Sequence, residues 1–342
     1  MKNVTIYDVA KLSGVSAATV SRVLNNTGYP ISQEVKARVQ KAARDLDYAP
    51  NLLGKYLKTR SNREIGVIIP NITNYYYPLL LLGVHGVAAQ RGYHIILCNS
   101  YRDSELEAQN IHLLTSKQVM GILTVSLSTN NEYLKRFIDK GGNMVLLENS
   151  PDIECNKVTF DYFKGAYMAC KHLIDLGHTK IGFAGAPITK YSRMQLLEGY
   201  QKCLRDHGIE VLPRFIYIPE GEKEVKTVYE FENGKRLAHM LLKSPEKPTG
   251  VFCINDMTAI VMMQELHKNG MRVPRDVSVV GFDNLNLSEM LSPPLTTIDQ
   301  HIYEMGSSAT NILIDAYEKI IQSNYIIQLE PTLVVRDSTR RL

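Results

Sequence analysis

Two short helical patterns on either side of a glycine turn constrain the start of this chain. Thr5 stands three residues before Asp8, the spacing of a capping box that opens a helix. The apolar residues of that helix are Ile6, Val9, Ala10 and Leu12. Gly14 can adopt the positive φ of a turn, and Ser16 can cap a second helix over residues 17–25. The spacing therefore predicts a helix-turn-helix.

The two faces of the second helix differ in chemistry. One face carries an apolar stripe of Val20, Val23 and Leu24. The other is small and polar with one long cation, and it consists of Ser16, Ala18, Thr19, Ser21, Arg22 and Asn25. Such a face can enter a DNA major groove without steric conflict. The alternative is an ordinary helical hairpin whose polar face is solvated.

The positive charge of the chain is concentrated in residues 1–60. These residues carry ten Lys and Arg against four Asp and Glu, a net charge of +6, whereas the whole chain is +4 and the remainder is therefore −2. A third helical pattern follows Ser32 and places most of its cations opposite an apolar stripe of Val35, Val39, Ala42 and Leu46. A basic head on a nearly neutral body is typical of a nucleic-acid binder, which favours DNA binding over the solvated hairpin.

After residue 62 the pattern changes to strands that alternate with helices. Nine apolar runs of strand length fall in two series, at residues 65–70, 94–99, 121–126, 144–149 and 158–161, then at 181–185, 215–219, 251–255 and 277–282. Helical patterns lie between them at residues 79–91, 105–116, 164–176, 194–206, 234–243 and 258–269. Near-continuous apolar strands covered by helices predict an α/β core of two doubly wound parallel-sheet lobes, with residues 297–298 and 326–336 crossing back between them.

The length of 342 residues is large for a single core, so we expect several domains. The head should span residues 1–48, the connector 49–62 and the core 63–342. Within the core, the lobes should cover about residues 63–162 and 163–296, with crossovers near 297–342.

Cysteine usage and the N-terminus indicate the cellular compartment. Five Cys, odd in number and far apart, fit a reducing cytoplasm and argue against a disulfide framework or a metal site. The N-terminus has no apolar stretch of the secretory kind, and the longest apolar run is interrupted by Gly83, His85 and Gly86. We therefore expect a cytoplasmic protein with no cofactor, no metal and no membrane association.

Polar side chains gather where the predicted strands end, and ligands of doubly wound sheets bind outside those carboxyl ends. The residues concerned include Asn71, Asn99, Asp161, Asn255, Asp256 and Asp283, and Tyr75, Tyr76 and Tyr77 follow the first strand. Carboxylates and amides accept hydroxyl hydrogen bonds and aromatic rings cover C–H faces, which suits a sugar. Taken singly, each Asp or Asn is also typical of a helix cap or a turn.

Several motifs resemble the LacI/GalR family of transcription regulators, from Thr5 to the C-terminus. The most specific is T-I-Y-D-V-A-K-L-S-G-V-S-x-x-T-V-S-R-V-L-N at residues 5–25. Others are Y-x-P-N at 48–51, I-G-V-I-I-P at 65–70, L-G-H-T-K-I-G at 176–182 and V-P-R-D-V-S-V-V-G-F-D-N at 273–284. The resemblance implies an all-α helix-turn-helix head on a periplasmic-binding-protein-like core. It also implies a homodimeric regulator, in the first place a repressor, that binds a near-palindromic operator.

The resemblance implies which residues contact DNA. Base edges would be read by Ala17, Ala18 and Arg22, and phosphates would be held mainly by Ser16, Thr19, Ser21 and Asn25. Thr5 and Asn51 complete the set, together with a hinge that folds in the minor groove with Leu57 as its wedge beside Lys55 and Lys58. Relatives usually have Ala where this chain has Gly54, which weakens a hinge helix by roughly 0.5–1 kcal/mol. We therefore expect a looser hinge, or operator binding that depends more on closure of the dimer.

The resemblance also implies an effector cleft between the lobes. Its expected contacts are Tyr76, Tyr77, Asp161, Lys190, Ser192, Asn255 and Asp283. Many relatives have Arg where this chain has Leu196, and Arg193 lies about one helical turn earlier and could serve the same cleft. A sugar or sugar derivative is the expected ligand, and a purine or phosphosugar would also fit. The sequence leaves open whether the ligand releases DNA or promotes binding, and whether a protein corepressor binds the core.

Two other classes of protein share parts of this pattern. A solute-binding protein for transport would have the core. It would lack the basic head, and it would begin with a secretory signal. An enzyme would need a marked nucleophile, phosphate or dinucleotide site, and the motifs G-x-G-x-x-G, G-x-S-x-G and H-E-x-x-H do not occur. We therefore expect a sequence-specific DNA-binding regulator controlled by a small molecule, and not an enzyme.

Overall fold

A computed structural model of the chain describes residues 4–24, 29–48, 63–126, 131–147, 153–219, 229–321 and 324–342. The chain divides into two compact units, Met1–Asn62 and Arg63–Leu342. Five residues for which we predict DNA contacts lie outside the described ranges, namely Asn25, Asn51, Lys55, Leu57 and Lys58.

The first unit contains the predicted helix-turn-helix. Its helices are α1 (Ile6–Ser13), α2 (Ala17–Leu24) and α3 (Gln33–Asp45). Gly14 has a φ of 67°, and its N–H donates to the Ala10 carbonyl, so the predicted glycine turn is confirmed. Both predicted caps are also present. The Asp8 carboxylate accepts the Thr5 N–H at 2.8 Å, and Ser16 Oγ accepts the Thr19 N–H at 3.1 Å.

A small apolar core holds these three helices together. Its fully buried members come from each helix, namely Val9, Val20 and Val39. Leu12, an apolar residue of α1, lies outside this core, and its side chain is 55% exposed. Ser13, seven residues after Ile6 and so on the same helical face, takes the buried place, and its hydroxyl donates to the Val9 carbonyl at 2.7 Å.

The second unit contains two six-stranded sheets. In chain order the strands are β1 (Glu64–Ile69), β2 (His94–Asn99), β3 (Gly121–Thr124), β4 (Met144–Leu146), β5 (Asn156–Phe160), β6 (Ile181–Ala184), β7 (Ile216–Tyr217), β8 (Gly250–Cys253), β9 (Ser278–Asp283), β10 (Thr296–Asp299), β11 (Ile326–Leu329) and β12 (Thr332–Val334). The helices are α4 (Tyr76–Gln90), α5 (Ser104–Ser116), α6 (Glu132–Asp139), α7 (Tyr162–Asp175), α8 (Tyr191–Asp206), α9 (Tyr229–Lys243), α10 (Asp256–Lys268), α11 (Asn286–Glu289) and α12 (Ile302–Tyr317), with a 3₁₀ turn at Pro213–Phe215.

Each sheet is the centre of one lobe. Lobe 1 has the strand order β11-β5-β4-β3-β1-β2, and lobe 2 has β12-β10-β9-β8-β6-β7. All paired neighbours are parallel except β10 and β12, which pair antiparallel at one edge of lobe 2. The strand order reverses between β1 and β3 and between β6 and β8. These two reversals are the places where doubly wound sheets bind ligands.

The chain passes between the lobes three times. It leaves lobe 1 after β5, returns after β10, and leaves again between β11 and β12. Helix α12 therefore packs in lobe 1 against α4, although more than 200 residues separate them in sequence. The two helices touch backbone to backbone at a pair of glycines. A Cβ on Gly83 would lie 2.1 Å from the Tyr303 carbonyl oxygen, and one on Gly306 would lie 2.2 Å from that of Leu80.

Other structural expectations concern cofactors and membranes. Within the described ranges the five Cys are free thiols, and no three His, Cys, Asp or Glu side chains are grouped to hold a metal ion. In the same part of the chain, no helix combines the length and apolar character needed to span a bilayer.

We predict that Gly83→Ala lowers the free energy of unfolding by about 1–3 kcal/mol, because the new methyl must push α12 away. The gain of roughly 1 kcal/mol in helix propensity does not offset that loss. Gly86→Ala is the matched control in the same helix, since its Cβ would meet only the movable Tyr303 hydroxyl at 3.1 Å. Urea unfolding of both variants measures the difference. Equal stability of the two would contradict the close helix crossing.

The carboxyl group of Glu107 on α5 provides a pH-dependent prediction. Burial raises its pKa to about 7, although Thr124, Ser126 and Tyr133 donate hydrogen bonds to it. The folded pKa lies above the unfolded value of about 4.3, so the native state binds more protons and its stability falls as pH rises through this interval. Glu107→Gln should therefore stabilise the protein near pH 8 by about 2 kcal/mol more than near pH 5. If the difference in stability between wild type and Glu107→Gln, measured by thermal melting, is the same at both pH values, the prediction is wrong.

Candidate functional site

The face of α2 that we predict to contact DNA is exposed to solvent. Ser16, Ala18 and Arg22 are exposed, whereas Val20 and Val23 on the opposite face are buried in the head core. Ala17, Thr19 and Ser21 are half-buried along the same polar face, and the Ser16 and Thr19 hydroxyls lie 2.9 Å apart. Thr5 is also exposed, and its hydroxyl donates to Asp8 at 2.7 Å. The arrangement leaves α2 free to lie against a groove.

Arg22 has one aromatic neighbour in the head. Its Cζ lies 4.2 Å from the centroid of the Tyr29 ring, which is 55% exposed. The guanidinium group therefore lies over the ring, within the distance of a cation–π contact.

The predicted effector contacts occupy the carboxyl edges of both sheets. Tyr76 and Tyr77 begin α4 after β1, with their rings edge to face at 5.2 Å. Tyr77 is buried, and the half-buried Tyr76 donates its hydroxyl to Met305 Sδ at 3.3 Å. Lys190 and Ser192, after β6 in lobe 2, are half-buried at the start of α8.

Two of the predicted contacts also cap helices. Asp161 Oδ1 accepts the Lys164 N–H at 2.8 Å, and Asn255 Oδ1 accepts the Thr258 N–H at 2.8 Å. Our alternative interpretation of such residues, as helix caps, is therefore correct for both. A capping side chain uses one of its polar atoms in this way, so the cap does not decide whether the other atom contacts a ligand.

Arg193 is buried beside the cleft rather than extended into solvent. Its Nη1 donates to the Pro187 carbonyl at 2.9 Å, and its Cζ lies 5.8 Å from the Tyr229 ring. Its guanidinium group is therefore positioned by the loop that follows β6.

Asp283 at the end of β9 is a buried carboxyl group. It accepts a hydrogen bond from Gln300 Nε2 at 2.5 Å, and its φ of 140° lies in a region that residues with a side chain rarely adopt. Backbone strain of this kind is concentrated at functional sites. Burial, and secondly the nearby Asp256 charge, raise the pKa of Asp283 well above its ordinary value.

Asp256 has a structural role next to Asp283. It is fully buried, and it accepts hydrogen bonds from Ser288 Oγ at 2.6 Å, Thr297 Oγ1 at 2.6 Å and the Leu285 N–H at 2.9 Å. Burial raises its pKa, and these donors act in the opposite direction. Asp256 therefore ties the loop after β9 to β10, which positions the carboxyl edge of lobe 2.

The structure adds contacts between the lobes that sequence reasoning missed. Arg102 of lobe 1 forms an ion pair with Glu230 of lobe 2, and both side chains are nearly buried. Asn74 Nδ2 donates to the same carboxylate at 3.0 Å, and the Arg102 guanidinium lies 5.4 Å from the Tyr229 ring. The position of Arg102 three residues after β2 was an available signal. Glu230 had none, because it lies within a helix.

Two further polar groups at the edge of lobe 2 were also missed. Asn233 donates to the Gly185 carbonyl at 3.0 Å, at the end of β6, and Gln300 holds Asp283. Both residues are nearly fully buried. Within the described residues, Asn233 Oδ1 and Gln300 Oε1 lack a hydrogen-bond partner. Buried acceptors of this kind fit a ligand that brings hydroxyl donors.

A helix-turn-helix head and a two-lobed core with a polar cleft define a DNA-binding transcription regulator, not an enzyme. Residues 5–51 match the bacterial regulatory proteins of the lacI family, and residues 170–339 match the periplasmic binding protein-like domain. The HTH-type transcriptional repressor PurR of Vibrio vulnificus (strain CMCP6) is 33% identical over 341 residues, 99% of each protein. The chain therefore belongs to the LacI family of bacterial regulatory proteins.

Solved structures agree with this assignment. A Lac repressor dimer bound to operator and the anti-inducer ONPF has a TM-score of 0.84 at 25% identity, covering 99% of this chain and 100% of that one. A LacI family transcriptional regulator from Enterococcus faecium with bound ribose has a TM-score of 0.70 at 25% identity, covering 82% and 99%. The predicted family and fold class are both confirmed.

Proposed function

We propose that this protein is a repressor that binds a near-palindromic operator as a homodimer and is controlled by a carbohydrate in the cleft of its core. The observation that supports sequence-specific DNA binding is the exposed polar face of α2. Val20 and Val23, on the opposite face of this helix, are buried in the head core. The relatives named above are a repressor and a Lac repressor dimer on its operator. A regulator of this kind works where the DNA is, so we place it in the cytoplasm.

The proposed division of labour in the head follows the exposure of α2. Arg22, with Ala17 and Ala18 beside it, reads base edges, since Arg can donate two hydrogen bonds to guanine and small side chains permit close approach. Phosphates are contacted by Thr5, Ser16, Thr19, Ser21 and Asn25. In this proposal residues 1–48 form the head, 49–62 the hinge and 63–342 the core. Asn51, Lys55, Leu57 and Lys58 act in the hinge, with Leu57 as the wedge.

The cleft chemistry supports a ligand rich in hydroxyl groups. Asn233 Oδ1 and Gln300 Oε1 are buried acceptors at the carboxyl edge of lobe 2, and Asp283 lies beside Gln300. Tyr76 and Tyr77 add aromatic surface from lobe 1. The Enterococcus faecium regulator, whose structure contains ribose, shares the fold of the core. Asp161, Lys190, Ser192, Arg193 and Asn255 complete the proposed set of contacts.

We predict that Arg22→Ala weakens operator binding by about 1–3 kcal/mol per half-site, because a base contact is lost. Binding to random DNA should fall less. Arg38→Ala removes the same charge from an exposed position on α3, so it is the matched control and should affect both DNAs equally. Titration of labelled operator and random DNA at one fixed salt concentration makes the comparison. Equal losses on both DNAs by Arg22→Ala would assign Arg22 to a phosphate.

We predict that Asp283→Asn weakens the binding of the effector at least about tenfold, since the carboxylate accepts hydroxyl hydrogen bonds that an amide satisfies less well. A melting-temperature screen with monosaccharides and disaccharides identifies the sugar, and calorimetry then measures its affinity for the variant. Ligand-free operator binding should stay within about twofold of wild type. Asp139→Asn, on the exposed end of α6, is the charge-matched control. A screen in which no sugar raises the melting temperature would refute the carbohydrate proposal.

A further inference from the structure

The contact between Arg22 and Tyr29 joins two different elements of the head. Arg22 lies in the last turn of α2, and Tyr29 lies before α3. With 4.2 Å between Arg22 Cζ and the ring centroid, the guanidinium group is close enough for a cation–π contact. A guanidinium that stacks through its flat face keeps its N–H donors at the edge of the plane. In a stack of that kind the donors stay available to a base edge.

The sequence after Tyr29 determines where its ring can be. Pro30 restricts the residue before it to extended backbone. Ile31 packs against the head core, and Ser32 Oγ accepts the Val35 N–H at 3.4 Å and so caps α3. The backbone that carries the Tyr29 ring is thus anchored to the head core on the α3 side.

Arg22 is anchored to the same core through α2. Its neighbours in α2, Val20 and Val23, are buried against Val39 of α3. The distance between guanidinium and ring therefore follows from the packing of α2 on α3. A long Arg side chain that would otherwise sample many rotamers has one preferred direction.

We infer that Tyr29 is a positioning residue for base reading: its ring holds the Arg22 guanidinium in the orientation that presents two donors to a guanine edge. This inference rests on the proposed role of Arg22 in the head. A bidentate contact with guanine depends on the plane of the guanidinium group. Without the ring, the same cation reaches phosphates on any DNA equally well. Tyr29 then contributes to specificity more than to general affinity.

The test is a double-mutant cycle in the full-length protein, with Arg22→Ala, Tyr29→Leu and both together. Tyr29→Leu should weaken operator binding about two- to fivefold per half-site, which corresponds to about 0.5–1 kcal/mol of exposed cation–π attraction. For a dimer on two half-sites the loss becomes about four- to twenty-five-fold. Binding to random DNA and the salt dependence should not change. In the Arg22→Ala background, Tyr29→Leu should have no effect.

Tyr29→Phe is the matched control, because it keeps the ring and removes the hydroxyl. It should bind operator like wild type, and a loss as large as that of Tyr29→Leu would show that the hydroxyl acts instead. An equal loss by Tyr29→Leu with and without Arg22 would also overturn the inference. If Arg22→Ala itself leaves operator binding intact, the proposed role of Arg22 fails, which is a separate result. Should Tyr29→Leu alter the melting of the head, Tyr29→Gln provides the same comparison.

Discussion

The buried carboxylate of Asp256 is the interaction on which the ligand edge of lobe 2 depends. Among the described residues, its hydrogen-bond donors include two hydroxyls and one backbone N–H. A buried charge of this kind is tolerated only when donors surround it. Those donors come from the segment after β9 and from β10, so the carboxylate, which follows β8, joins three neighbouring strands. Asp283 takes its strained backbone conformation next to this hub.

Contacts between the lobes turn that edge into one side of a cleft. Glu230 from lobe 2 accepts hydrogen bonds from Arg102 and Asn74 of lobe 1, in a nearly buried position. The aromatic rings of Phe160 and Phe282, at the ends of β5 and β9, meet at 5.8 Å. A polar and an apolar contact thus both cross between the lobes. A change in the opening of the cleft has to alter the buried ion pair, where the loss of one partner is costly. A ligand in the cleft therefore has a physical means of biasing the core.

Local sequence signals predicted the head well, because its elements depend on neighbours close in the chain. Gly14, Asp8 and Ser16 act through residues at most five positions away. In the core, alternation predicted nine of the twelve strands. It did not predict α12, whose place in lobe 1 depends on glycines that meet α4 across more than 200 residues.

The sequence also predicted only part of the candidate site. The sequence alone determined the helix-turn-helix, the basic head, the alternating core and the polar residues at strand ends, because periodicity, capping and charge are properties of short segments. Only the tertiary structure decided that Asp256 joins three neighbouring strands, that Arg102 meets Glu230, and that Tyr29 lies against Arg22. These outcomes depend on which distant segments share a surface. The crossings of the chain between the lobes and the close packing of helices determine which segments meet. No pattern within a short segment predicts this.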